Sequence, residues 1–314
     1  MSSKPPILAM SNLTPLFLDL LDVDYTVHFS DDIDALDDAV VRQIGAIAAN
    51  GESRVDRALM QRLPALRVVA VMGVGYDRVD VAAALERGVA VTHTPGVLDD
   101  DVADLAIGLM LAWARQIPAA DRFVRDGRWP SGALPLGRKL SGARLGIVGM
   151  GRIGQAIARR AAAFDMDIAY ATRRHNPSVA HPHIPSLVAL AERSDYLVVI
   201  VPGGAATHHL IDAEVLRALG PQGCLVNVAR GPVVDQQALI AALQAGTLAG
   251  AALDVFEGEP DVPAALRALP QVVLAPHIGS ATGATRLAMA RLALANLAAG
   301  LAESPLHTPV PECC

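Results

Sequence analysis

Cysteine is scarce in this chain. Cys224, Cys313 and Cys314 are three among 314 residues, and two of them are adjacent, so no disulfide framework is available. Charge is thin as well, at 18% of residues against roughly 25% in an average soluble protein. Long apolar runs are missing: Ala103 to Ala114 and Leu287 to Ala302 are the richest, and Asp104 and Arg291 interrupt them. Neither approaches the ~18 uninterrupted residues a spanning helix needs. There is no excess of basic residues, the net charge being −6, which gives no electrostatic reason to expect nucleic acid or an anionic membrane as partner. The opening MSSKPPILAM lacks a charged segment followed by a long apolar one, so no secretion signal is read and a cytoplasmic location is expected. Repeats and low-complexity segments are absent too. What the chain does have is an apolar fraction of 52%, which argues against disorder. Its length suits about two domains at ~150 residues each.

Short β-rich runs alternate with helical ones along the chain. Pro6 to Met10, Tyr25 to Phe29, Ala46 to Ala49, Leu66 to Met72 and Val89 to His93 read as strands, and Arg54 to Leu63 as a helix that stops at Pro64, which a helix interior does not tolerate. From Asp99 to Gln116 apolar residues recur at 102, 105, 106, 109, 110 and 113, the 3.6-residue period of a helix. A Gly/Pro-rich connector runs from Gly127 to Gly142. The alternation then resumes with strands at Arg144 to Gly149, Asp167 to Ala171, Tyr196 to Val201, Cys224 to Ala229, Ala249 to Val255 and Val272 to Ala275. Strands alternating with helices predict parallel sheets covered on both faces. The expected fold is therefore α/β, with two doubly wound parallel-sheet domains. Residues 98–283 form the dinucleotide-binding domain, and 1–97 with 284–314 a discontinuous substrate domain completed by the closing helix Thr285 to Leu301.

The strand Arg144 to Gly149 runs straight into Gly149-Met-Gly151-Arg152-Ile153-Gly154 and a helix. A bare G-x-G-x-x-G is weak, since a tight strand-to-helix turn explains it. With strand and helix both flanking it, each glycine acquires a purpose: a tight turn, close approach of backbone to pyrophosphate, and close helix–strand packing. The helix N-terminus, with Arg152 and Ile153, adds N–H groups and a positive dipole end. About 20 residues on, NAD-binding chains place an acid that bonds the adenine ribose. This chain has Ala171-Thr172-Arg173-Arg174 there, with Asp165 and Asp167 too early. Guanidinium groups bind the extra phosphate of NADP bidentately where a carboxylate would repel it. NADP(H) is the expected cofactor, with NAD less preferred. Val201, Pro202, Val228 and Ala229, at the ends of two further strands, complete the candidate cofactor contacts.

Ligands of an open α/β sheet sit beyond the carboxyl ends of its strands. Three strands deliver ionisable residues there: Arg230 after VNVA, Glu259 after ALDVFEG and His277 after VLAP. Each alone has a bland reading as surface arginine, loop glutamate or structural histidine. Together they suit reduction of a 2-keto acid. Arg230 would grip the carboxylate and His277 would donate the proton. Glu259 would orient the imidazole and favour its protonated form.

At these residues the sequence resembles the D-isomer-specific 2-hydroxyacid dehydrogenase family, through VMGVGYDRVDVAAALERGV, TPGVLDDDVADLAIGLMLA, GIVGMGRIG, NVARGPVVD, AALDVFEGEP and LAPHIGS, spread over about residues 66 to 283. Within it, VLDDDVADLAIGLML and YATRR look most like the hydroxypyruvate/glyoxylate and hydroxyphenylpyruvate reductases. The resemblance implies flavodoxin-like and Rossmann-like domains with a cleft between them, a homodimer, and Arg230, Glu259 and His277 as the active residues. It also lends Asp254 to the nicotinamide carboxamide and the turn Gly73-Val74-Gly75 to the substrate. From spacing alone that turn is either a plain tight turn or a nest of N–H groups for a carboxylate at Val74 and Gly75.

No metal site is read. The pairs His181/His183 and His208/His209 lack carboxylate or cysteine partners at ligand spacing and are expected in surface loops. Cys224 and Met72 are expected to pack, as is Trp129 by default, with a contribution to a neighbouring subunit's site as the other reading. The Asn50 to Ser53 loop should face the cleft. The leading function is NADPH-dependent reduction of a small 2-keto acid, with an aryl-pyruvate such as 4-hydroxyphenylpyruvate as the alternative substrate. The alternative from another class is a nucleotide-sensing corepressor-like binding protein, which an extended tail or docking insert would favour; this chain shows neither. The Glu259–His277 pair speaks against formate oxidation, which needs no general base.

Overall fold

The computed structural model describes residues 4–313; Cys314 and the first three residues lie outside the described part of the chain. The described residues divide into two compact units. One comprises those up to Leu98 together with those from Ala281 onward, and the other is Asp99–Ser280.

In the first unit, β1 (Pro6–Ala9), β2 (Thr26–Phe29), β3 (Ala46–Asn50), β4 (Val68–Met72) and β5 (Ala90–Thr92) form a parallel sheet in the order β2-β1-β3-β4-β5. The run VVAVM is buried at all five positions, as expected for a strand covered on both faces. Helix Arg57–Gln61 is shorter than its apolar spacing suggests, because Asp56 caps it by accepting the Leu59 N–H. The last long helix, Gly283–Leu301, packs on β4 and β3 of this unit. At Gly300 a Cβ would lie 2.5 Å from the Val68 side chain, so helix and strand meet with no room for one.

The second unit holds β6 (Arg144–Val148), β7 (Asp167–Ala171), β8 (Tyr196–Val199), β9 (Cys224–Asn227), β10 (Gly250–Leu253) and β11 (Val272–Leu274) in one parallel sheet ordered β11-β10-β9-β8-β6-β7. The chain leaves β6 for β7 on one side and returns as β8 on the other, so the strand order reverses at the end of β6. Such a switch point opens a crevice at the carboxyl edge. Helix Asp99–Ala114 lies against helix Arg152–Ala162, tied by Arg152 to Asp99 and by Arg160 to Asp100 and Asp104. The predicted helix ends two residues early. Gln116 takes a left-handed conformation (φ 54°), and a separate helix Ile117–Arg125 starts with proline in its first turn. Pro118 has no N–H to bond back to the Ala114 carbonyl and its ring would clash with that carbonyl, so one continuous helix is excluded.

Candidate active site

The glycine turn is built by close contacts. Gly149 has φ 103°, and a Cβ on it would sit 2.2 Å from the Ile200 carbonyl oxygen; one on Gly154 would sit 2.1 Å from the Gly149 carbonyl oxygen. At Gly151, the first residue before helix Arg152–Ala162, a Cβ would meet nothing within 4 Å. Two glycines thus allow the backbone to fold on itself, and the middle one leaves the helix N-terminus uncovered. An anion can approach unpaired N–H groups there, so these residues fit a dinucleotide pyrophosphate. The Arg152 guanidinium is held by Asp99 at 2.8 Å, which leaves its backbone as the part at the turn. Val201 packs beside Gly149. The Pro202 carbonyl accepts from Thr207 Oγ1 at 2.7 Å, and Val228 and Ala229 are buried at the end of β9.

At the end of β7 the loop is locally fastened. Thr172 Oγ1 donates to the Arg174 carbonyl at 2.7 Å, and His183 Nε2 donates to the Thr172 carbonyl at 3.0 Å. Buried Tyr170 accepts the Asn176 N–H at 3.2 Å. His183, expected in a surface loop, is therefore bonded to the turn that follows β7. Arg173 and Arg174 are exposed. The acids at the other end of the strand are not beside them, Asp167 being paired with Arg193 at 2.8 Å.

Arg230, Glu259 and His277 come together at the same carboxyl edge. His277 Nδ1 lies 2.7 Å from Glu259 Oε2, with the side chains 35% and 18% exposed. The other carboxylate oxygen accepts the Phe256 N–H at 2.7 Å. Burial alone would push the Glu259 carboxyl up, but the His277 and Phe256 hydrogen bonds and the nearby Arg230 charge hold it below the usual range. His277 has φ 52°, a left-handed conformation uncommon in non-glycine residues, though less so for asparagine, aspartate and histidine. What imposes it is Asp254, 2% exposed, whose carbonyl accepts the His277 N–H at 2.9 Å. Its two carboxylate oxygens accept the Ile278 and Gly279 N–H groups at 2.7 and 2.8 Å. Burial raises the Asp254 carboxyl, against the pull of those bonds and of His277.

The Arg230 loop is set from behind. Asn227 Nδ2 donates to the Arg230 carbonyl and Asn227 Oδ1 accepts the Ala229 N–H, both at 3.1 Å. Arg230 itself donates to the Ala229 carbonyl at 2.8 Å. A Cβ on Gly231 would lie 1.9 Å from the Phe256 carbonyl carbon, so this loop touches the segment leading to Glu259. Sequence reading passed over Asn227; an amide inside a buried strand end is the signal that could have found it. It also missed the partner of the histidine pair. His209 Nε2 lies 2.6 Å from Glu257, a carboxylate 48 residues away, and His208 stacks on His209 at 3.9 Å. Cys224 is buried, which pushes its thiol well above the usual range, consistent with packing.

In the first unit, Val74 and Gly75 follow β4 in a tight turn. Thr94 N–H donates to the Gly73 carbonyl at 2.8 Å, and His93 Nδ1 to the Val74 carbonyl at 2.9 Å.

The sequence profile described as "D-isomer specific 2-hydroxyacid dehydrogenase, NAD binding domain" matches residues 107–279. The chain belongs to the D-isomer specific 2-hydroxyacid dehydrogenase family. Among curated members, the glyoxylate/hydroxypyruvate reductase A of Arabidopsis thaliana and the hydroxyphenylpyruvate reductase of Plectranthus scutellarioides are each 49% identical over 267 residues, 85% of both chains. The NADPH-dependent glyoxylate/hydroxypyruvate reductase of Sinorhizobium meliloti, solved with NADP and malonate, is 46% identical with a TM-score of 0.93, covering 99% of this chain and 98% of that one. As a member of this 2-hydroxyacid dehydrogenase family, the chain is an NAD(P)-dependent oxidoreductase.

Proposed function

We propose that this dehydrogenase reduces a small 2-keto acid of the hydroxypyruvate/glyoxylate type to the D-2-hydroxy acid, using NADPH in preference to NADH. The His277–Glu259 pair at 2.7 Å, with Arg230 near enough to depress Glu259, carries the reading. Arg230 holds the substrate carboxylate in its guanidinium fork. What the dinucleotide supplies when bound is a hydride to the carbonyl carbon. Glu259 accepts the Nδ1–H of His277, so Nε2 carries the proton given to the carbonyl oxygen as it gains charge. One hydride and one proton convert the C=O to CH–OH, and the imidazole reloads from solvent. Asp254 fixes the loop that carries His277 and is the candidate partner for the nicotinamide carboxamide. Val74 and Gly75 contribute backbone N–H groups to the substrate carboxylate.

The NADPH preference is supported by Arg173 and Arg174 at the end of β7, which form no ion pair with a carboxylate among the described residues. Side-by-side rates with NADPH and NADH on hydroxypyruvate, glyoxylate and 4-hydroxyphenylpyruvate test the reading. Turnover of none of the three removes it, and fastest turnover of the aryl acid moves the assignment to an aryl-pyruvate reductase, which the Plectranthus relative favours. Replacing Arg173 and Arg174 together by Ala is expected to raise KM for NADPH by roughly 30-fold and that for NADH by less than roughly 3-fold, on the scale of lost charge-assisted bonds. Equal rises for both cofactors would show that the pair does not read the 2′-phosphate.

A homodimer and a cytoplasmic location belong to the same proposal. Ile117, Val124, Trp129 and Leu136, within 20 residues of one another, are 51%, 54%, 68% and 97% exposed, an apolar stretch suited to a second copy of the chain. No helix among the described residues is long and apolar enough to cross a membrane.

A further inference from the structure

The turn after β4 is aimed by a chain of hydrogen bonds that begins in the C-terminal segment. In a planar trans peptide the N–H points opposite to the preceding C=O. The Gly73 carbonyl is held by Thr94 N–H, which directs the Val74 N–H away from β5, and the Val74 carbonyl is held by His93 Nδ1, which directs the Gly75 N–H likewise. Neither the Val74 nor the Gly75 N–H finds an acceptor among the described residues, although both residues are half-buried. Backbone donors in such a place are ordinarily paired.

His93 is in turn held by residues more than 200 positions away. Its N–H donates to the Thr308 carbonyl at 3.1 Å, and Thr308 Oγ1 donates to the His93 carbonyl at 2.6 Å. Thr308 is clamped by Asn296, fully buried on the last long helix. Asn296 Oδ1 accepts the His307 and Thr308 N–H groups, each at 3.0 Å, and its Nδ2 donates to Thr308 Oγ1 at 2.8 Å. The Tyr76 ring meets the His93 ring edge-on at 5.3 Å. Burial and the Glu312 carboxylate it donates to push the Tyr76 phenol up to about 12, so that bond stays protonated throughout the working range.

We infer that His93, fixed by Thr308 and Asn296, is a positioning residue that orients the Val74 and Gly75 N–H groups as a two-donor seat for the substrate carboxylate. The inference rests on the substrate reading above and adds to it a reason for the direction of those donors. His93 touches no reacting atom in this scheme; it acts through the peptide planes. Its loss should therefore weaken anion binding and leave dinucleotide binding alone.

The test uses the full chain with His93→Ala, His93→Asn and His93→Gln. Four quantities are measured: KM for hydroxypyruvate, kcat, KM for NADPH, and Ki of oxalate, an unreactive dicarboxylate. Asn places its Nδ2 as many bonds from the backbone as the imidazole Nδ1, whereas Gln places its amide one bond further. His93→Ala is expected to raise the hydroxypyruvate KM and the oxalate Ki together by about 10-fold, with kcat changed less than about 3-fold and the NADPH KM unmoved, the split expected when ground-state binding is lost. His93→Asn should recover most of the loss and His93→Gln little of it. Thr308→Val, which leaves the ring untouched, should move the same two constants in the same direction by a smaller factor.

Unchanged KM and Ki in His93→Ala overturn the inference, as does an Asn variant no better than Ala or Gln. Should His93→Ala fail to fold, the Asn and Gln pair decides between the same outcomes. Failure of the substrate reading is separately visible: the unaltered chain then turns over no 2-keto acid and oxalate does not compete.

Discussion

The His277→Asn enzyme is expected to reduce 2-keto acids about 1,000-fold more slowly than the unaltered chain, within the range general-acid groups contribute, while binding NADPH normally. Glu259 holds the Nδ1–H at 2.7 Å and is itself held by the Phe256 N–H, so the ring is oriented before substrate arrives. Asn cannot deliver a proton. Glu259→Gln tests the partner separately. A carboxylate favours the protonated imidazole and an amide does not, so the alkaline limb of the kcat/KM profile should move to lower pH in that variant. On the acid side, the Glu259 carboxyl is held below its ordinary value of 4.5, so in the unaltered chain the pair should persist on acidification past that pH and be lost only below it. A single-turnover rate for His277→Asn within a few-fold of normal would remove the histidine from proton transfer.

Gly231→Ala should be the more damaging change for the fold. The added methyl would stand 1.9 Å from the Phe256 carbonyl carbon and oxygen and 2.5 Å from the Glu257 nitrogen, and backbone cannot yield as a flexible side chain can. Overpacking of this kind costs about 3 kcal/mol or more, which for a unit of this size lowers Tm by roughly 6–12 °C. Because Phe256 N–H also holds Glu259, kcat/KM should fall by about 100-fold or more even at temperatures where the variant is folded. Gly151→Ala supplies the contrast. Its methyl would meet nothing, so Tm should hold while the dinucleotide loses its close approach and its KM rises. A Gly231→Ala chain that melts and turns over normally would show that the two loops are free to separate.

These two glycines also mark what could be read from the chain. All eleven strands among the described residues stand where β-rich runs predicted them, since segments such as LRVVAVM bury both faces and announce it by composition. Their ends are trimmed by local chemistry: β4 begins at Val68 rather than Leu66, because Leu66 N–H turns back to the Leu63 carbonyl. Motif spacing made Arg230, Glu259 and His277 legible together because parallel strands deliver all their carboxyl ends to one edge. What spacing could not show are bonds closed across the chain. Neither His93 with Thr308, 215 positions apart, nor His209 with Glu257 leaves a local signature. The same holds for Asp254, whose two oxygens meet N–H groups 24 and 25 residues on.

The return of helix Gly283–Leu301 to β4 has a consequence for the order of synthesis. A chain made from its N-terminus exposes β1 to β5 first, yet the surface of β4 and β3 that this helix covers stays open until residues 283–301 have been added. The segment Asp99–Ser280 is continuous and has all its strands once β11 is made, so it can close while the earlier sheet is still waiting. The sheet β1 to β5 is thus completed after the sheet β6 to β11 that follows it, and its bare apolar strands are what a chaperone would meet on the ribosome.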